Sequence, residues 1–196
     1  MKTTNGENWY QNHLADQKLY PFLEQVDADL VAQVRAKGCL ACGGTLHRGD
    51  YPRKPRGGAP WDRRFSLCCA TAECRRRHTP PSVRFFGRRV YAGLVVVLVS
   101  AMVHGLTPAR VARVREALAI DRRTLERWRQ WWRDTFVGGA FWKAAKAQFM
   151  PPLCERTLPA SLCVRFAVQE RRDRLLALLR FLTPLTTSAA WRKLVR

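Results

Sequence analysis

Acidic side chains are scarce in this chain: 15 Asp and Glu stand against 35 Lys and Arg in 196 residues, a formal net charge of +20. The scarcity bears first on catalysis. Phosphodiester chemistry of the carboxylate type needs a cluster of acids that holds two divalent ions. Beyond residue 136 the acids reduce to Glu155, Glu170 and Asp173, with no alternating strand pattern around them, so no strand cleavage by this chain alone is expected. Tyr91 as a nucleophile sits inside an apolar segment, where packing is the expected role. Long apolar runs are also missing. Val90 to Val103 contains Ser100 and is followed by His104, short of the about 20 residues that cross a bilayer, so a buried helix and no membrane partner are predicted. Met1-Lys2-Thr3-Thr4-Asn5-Gly6 has no apolar stretch of the signal-peptide kind, which predicts a cytoplasmic protein that is not exported. Without a mark of secretion, the seven cysteines read as thiols or metal ligands and not as disulfides.

Four of those cysteines form two short pairs, Cys39-Leu-Ala-Cys42 and Cys69-Ala-Thr-Ala-Glu-Cys74. Pairs carried on separate turns can converge on one tetrahedral zinc, at about 2.3 Å from each sulfur. Cys42-Gly43-Gly44 supplies a sharp turn, because glycine accepts positive φ without steric penalty. Cys68 lies beside Cys69 and competes with it, but neighbours on a strand point to opposite faces. Cys69 is preferred, with Cys68, His47 and His78 standing as alternative ligands. The predicted metal set is Cys39, Cys42, Cys69 and Cys74, and the predicted cofactor is zinc. Four thiolates leave no open position for a catalytic water, which disfavours a zinc nuclease.

The basic excess begins at the cysteine motif. Residues 1–35 carry 3 basic and 5 acidic side chains, residues 36–90 carry 13 and 3, residues 91–150 carry 10 and 4, and residues 151–196 carry 9 and 3. Such an excess predicts a polyanionic partner, since neutralised phosphates release counterions on binding. Arginine exceeds lysine, and its planar fork suits bidentate contact with phosphate and guanine. Around the cysteines the candidate contacts are Arg53, Lys54, Arg56, Arg63, Arg64, Arg75, Arg76 and Arg77, with Gly57-Gly58-Ala59-Pro60 as a hairpin tip.

The expected fold is mainly α with a small β zinc ribbon. A lead-in segment spans 1–36, with a helix over about Asp27 to Ala36. The ribbon spans 37–83, a trihelical helix-turn-helix 84–136, and a connector with a C-terminal helix of about Cys163 to Leu182 fills 137–196. In the middle segment, Val90 to Val103 forms the first helix. Thr107 and Pro108 start the second as N-cap and first helical residue, and Asp121 caps the third, which runs to roughly Asp134. Leu125, Trp128 and Trp132 make the core side of that helix, leaving Arg123, Arg127 and Gln130 opposite. Arginine and glutamine there are suited to base edges, and Arg122 and Thr124 near the helix start to phosphate. The competing role for this face is solvated surface knitted by Arg122–Glu126 and Glu126–Arg129 pairs. Leu175, Leu176, Leu178, Leu179 and Leu182 form a stripe that docks on the body or pairs with a second copy in a homodimer.

The cysteine block Cys39 to Gly44, the block Arg64 to Pro81, and Leu106-Thr-Pro-Ala-Arg110 through Trp132 together resemble the recognition half of bacterial insertion-sequence transposases and their small accessory proteins. The resemblance covers roughly half of the chain and implies a zinc ribbon joined to a helix-turn-helix that binds transposon ends. It implies sequence-specific binding of double-stranded DNA by a non-catalytic accessory subunit at the nucleoid, with a separate transposase or recombinase as partner. A chromosomal transcription regulator and an RNA-binding ribonucleoprotein component use the same parts.

Overall fold

The computed structural model describes residues 18–53, 62–86, 96–97, 112, 120–166 and 171–187. It mixes helices with a small antiparallel sheet and divides into two compact units, one of Gln17–Gly93 with Leu179–Arg196, the other of Met1–Asp16 with Leu94–Leu178. The lead-in helix and the cysteine segment lie in one of these units. No described helix is long and apolar enough to cross a membrane.

In the first unit, helix α1 spans Leu19–Ala36 and begins well before the expected Asp27. Pro21 is tolerated because the first turn of a helix has amide groups with no intrahelical partner. Leu19, Leu23, Val26 and Val31 fall on one buried side. Strands β1 (Leu46–Arg48), β4 (Leu67–Cys69) and β5 (Arg77–His78) form a three-stranded antiparallel sheet in the order β1-β4-β5. Strands β2 (Tyr51–Pro52) and β3 (Arg63–Arg64) pair antiparallel, Tyr51 opposite Arg64. That pairing flanks the predicted hairpin tip, which itself lies outside the described residues, as do Lys54 and Arg56. Val31, Leu46, Phe65 and Leu67 pack with Cys39 and Cys69 into one core, so the metal-ligand candidates are also core residues.

In the second unit, Val96 and Val97 are helical and fully buried, in agreement with an internal helix there. The remainder of that helix and the predicted second helix, Ala112 excepted, fall outside the described residues. Helix α2 spans Arg122–Gln130, and the Asp121 side chain accepts the Thr124 amide at 2.6 Å, the expected N-cap. The chain continues through a π-helical turn, Trp131–Phe136, past the expected end at Asp134. Leu125, Trp128, Trp132 and Phe136 are buried, and the ring centroids of Trp132 and Phe136 lie 4.8 Å apart. Residues 135–162, expected as a connector, contain α3 (Ala140–Ala145) and the start of α4 (Ala160–Arg165). Gly139, in an extended conformation, starts α3 where a break was expected. Trp142 in α3 is buried and extends the aromatic core. The single expected C-terminal helix becomes two, α4 and α5 (Arg171–Leu182); the residues of α5 divide between the two units after Leu178, and its Leu175, Leu178, Leu179 and Leu182 are buried.

Candidate metal centre and cationic surfaces

The first cysteine pair is held by a tight turn. The Gly43 amide donates to the Cys39 carbonyl at 2.8 Å, and the Cys39 amide donates to the Gly44 carbonyl at 2.9 Å. Closing that turn puts Gly43 and Gly38 at φ of 72° each, a region where a side chain is strained. A Cβ on Gly38 meets the Gly43 carbonyl oxygen at 2.9 Å, whereas one on Gly43 meets nothing within 4 Å. Gly38→Ala is therefore expected to destabilise the first unit by more than the about 1–2 kcal/mol of a left-handed alanine alone, and Gly43→Ala by about that amount. Urea denaturation of the two variants checks the ranking, and equal midpoints refute it.

The second pair solves its longer spacing with a closed turn. The Thr71 carbonyl accepts the amides of Cys74 and Arg75 at 3.1 and 3.0 Å, and the Cys69 amide donates to the Arg76 carbonyl at 3.0 Å. Arg75 sits at φ 43°, the one non-glycine residue with positive φ among the described residues. The turn brings Cys74 back over Cys69. The ligand atoms of Cys39, Cys42, Cys69 and Cys74 all lie within 4.8 Å of one another. Cys42 and Cys69 sulfurs are 3.4 Å apart, and those of Cys39 and Cys74 are 3.7 Å apart. A tetrahedron with metal–sulfur bonds of about 2.3 Å has edges of about 3.8 Å, so the set fits one metal ion. None of these cysteines is in a disulfide.

The alternatives separate cleanly. Cys68 points to the other face of β4, its thiol 3.5 Å from the Arg75 carbonyl oxygen. His47 is exposed on β1. His78 Nε2 lies 3.2 Å from the Cys39 sulfur, a position from which its N–H can support that thiolate as an outer hydrogen bond. Backbone amides prepare the site for charge. The Ala41 amide lowers the Cys39 pKa, and the Gly44 amide, followed by the Cys69 thiol, lowers that of Cys42. At Cys74 the Arg76 amide acts in the same direction, but desolvation and the crowding sulfurs of Cys42, Cys39 and Cys69 outweigh it and push the thiol up to about 12. Without metal, this crowded set keeps a proton; a divalent cation displaces it.

The arginines divide by accessibility. Arg75 and Arg76 are exposed, and their guanidinium groups have no hydrogen-bond or ion-pair partner among the described residues. Arg63 is exposed and donates to the Asp50 carbonyl at 2.9 Å. Arg77 donates to the Gly49 carbonyl at 3.2 Å and stays exposed, and Arg53 is half-buried. Arg64 is a correction: it is 3% exposed and donates to the Pro80 carbonyl, so it braces the unit from inside and is withdrawn from any contact surface. On α2, Arg122, Arg123, Arg127 and Gln130 are exposed opposite the buried stripe. Arg122 pairs with Glu126 at 2.8 Å, the surface pairing weighed for this face. Arg123 has no partner among the described residues, and Arg127 reaches only the Thr124 hydroxyl, at 3.0 Å. Thr124 is the second correction: its side chain is buried at the third helical position and accepts from Arg127, which removes it from phosphate contact.

Composition did not single out the buried polar cluster of Arg84 with Asp27, Asp62 and Ser82. An arginine inside Val83-Arg84-Phe85-Phe86 was the available signal. Comparison with family models, curated proteins and solved structures finds no match, so residue geometry alone carries the functional reading.

Proposed function

We propose that the chain is a zinc-stabilised, sequence-reading double-stranded DNA-binding protein, an accessory subunit that recognises the ends of a mobile element for a separate transposase or recombinase. The observation that carries this reading is helix α2. Its register puts Leu125, Trp128 and Trp132 inside and leaves Arg123, Arg127 and Gln130 exposed on the opposite side, a set suited to base edges. Four thiolates at tetrahedral spacing favour zinc, a metal content to which soft sulfur ligands and this geometry both point. The cysteine turn adds the exposed Arg75 and Arg76 as phosphate contacts, and the excess of 35 basic over 15 acidic side chains supplies the electrostatic attraction.

Selection of bound duplexes from a random library tests the reading, and one enriched motif is the expected result. Arg123→Ala and Arg127→Ala are expected to relax preference at single positions of that motif by about 1–3 kcal/mol per lost bidentate contact. Arg75→Ala is expected to weaken all sequences alike and to flatten the dependence of affinity on salt. Uniform losses for Arg123→Ala and Arg127→Ala would assign α2 to the phosphate backbone. Tighter retention of structured RNA than of duplex DNA would overturn the DNA assignment.

A further inference from the structure

The second unit carries a groove that the duplex reading leaves unused. It has a volume of about 760 Å³ and runs along the end of α3 and the loop that follows, from Trp142 to Arg156. Its size falls in the range of about 300–1,000 Å³ typical of small-molecule sites. The apolar part is made by Phe149, Met150, Leu153 and the buried Trp142, and Met150 is 78% exposed. Cations surround it: Lys143, Lys146 and Arg156.

Charge identifies the occupant. Glu155, the single acid in the lining, is already engaged, accepting from Trp142 Nε1 at 2.8 Å and from Lys146 at 3.2 Å. Those two donors hold its carboxyl below the usual range, the Trp142 N–H contributing most, so it remains ionised and turned onto its partners. Lys143 and Arg156 have no acidic partner among the described residues. The groove thus offers an apolar seat between two uncompensated positive charges. A planar apolar group flanked by anions satisfies both features, and a chain of net charge +20 meets such groups on nucleic acid.

We propose that this groove seats an unpaired nucleotide of single-stranded nucleic acid, the base on Met150 and Leu153 and the adjoining phosphates on Lys143 and Arg156. The inference goes beyond the duplex reading, and the two fail separately: blunt duplex binding tests the first, unpaired nucleotides the second.

The test uses the full chain and two probes, a blunt duplex and the same duplex with a 5′-phosphorylated single-stranded overhang bearing 2-aminopurine. The overhang is expected to bind more tightly than the blunt end, with its fluorescence quenched on binding. Met150→Ala, an exposed position where folding is not at stake, keeps every charge. It is expected to weaken the overhang contribution by about 5- to 30-fold, the loss of one apolar contact of methionine size. Lys143→Glu is expected to do the same, with blunt-duplex affinity changed by much less. Cys154, exposed at the rim, gives a local readout. The overhang is expected to slow its alkylation, followed by peptide mass mapping, and the blunt duplex is not. Equal losses on both probes, an overhang contribution unchanged in Met150→Ala, or unslowed Cys154 alkylation each overturn the proposal. So does an acidic peptide that binds the groove more tightly than the overhang.

Discussion

Cys42→Ser and Cys74→Ser are expected to abolish stoichiometric metal binding and to unfold the sheet of β1, β4 and β5. The sheet has too little core to stand alone: Cys39 and Cys69 are themselves buried members of the cluster that includes Val31, Leu46, Phe65 and Leu67, and Cys74 packs against it. Metal binding is then inseparable from folding, and a structural zinc supplies about 10–16 kcal/mol of apparent binding free energy in small zinc domains near pH 7. Loss of one thiolate forfeits much of that, because the remaining three sulfurs stay crowded without the charge that holds them together. Metal content after dialysis and near-ultraviolet circular dichroism are the measurements. Cys68→Ser, whose thiol faces the Arg75 carbonyl, is expected to retain about one equivalent. His78→Ala separates two ligand sets: retained metal is expected for four sulfurs, and loss equal to that of Cys42→Ser would make His78 a ligand. Full metal in both cysteine variants would remove the assignment altogether. Acid is expected to release the metal, since protons compete for each sulfur.

What could be read in the sequence was local. Zinc geometry requires closely spaced cysteines, so the pairs announce themselves, and strand alternation limits the neighbours Cys68 and Cys69 to one ligand, which the fold makes Cys69. An N-cap requires only that Asp121 reach an amide three residues on, and the Leu125, Trp128, Trp132 stripe needs only helical periodicity. Arg64 obeys the same alternation. Arg63 and Arg64 are neighbours on β3, so one had to face outward and the other inward. The inner one is tolerated because the Phe65 and Pro80 carbonyls accept its guanidinium. The segment expected as a connector is less legible, because Gly139, in an extended conformation, serves α3 as its entry residue. Nothing local encoded the groove of the second unit, which depends on α3 and the Glu155 turn meeting through the Trp142–Glu155 hydrogen bond.

Arg84→Met is expected to destabilise the first unit by about 3–5 kcal/mol, the cost of leaving buried charge uncompensated. The guanidinium is fully buried and donates to Asp27 at 3.0 Å, Asp62 at 2.9 Å, Glu24 at 3.2 Å and the Arg63 carbonyl at 3.1 Å. Its partners lie up to 60 residues away in sequence, which is why no window of the chain revealed them. The cation also lies over the rings of Phe65 and Phe85, with centroids at 4.7 and 5.0 Å. The carboxylates are satisfied from other sides as well. Asp27 accepts from the Ser82 hydroxyl at 2.6 Å and the Val83 amide at 2.7 Å, and Asp62 accepts from the Tyr20 hydroxyl. Burial nevertheless raises the pKa of Asp62 against the pull of Tyr20 and Arg84. Methionine fills a similar volume, so the loss it measures is electrostatic and not a cavity. Arg84→Lys keeps the charge, but one ammonium cannot span Asp27, Asp62, Glu24 and the Arg63 carbonyl together, and an intermediate loss is expected. Urea midpoints at constant slope give the values, and a double-mutant cycle with Asp62→Asn is expected to show coupling of about 0.5–3 kcal/mol. A midpoint for Arg84→Met equal to that of the parent would mean that aromatic packing alone joins α1 to the residues around β3.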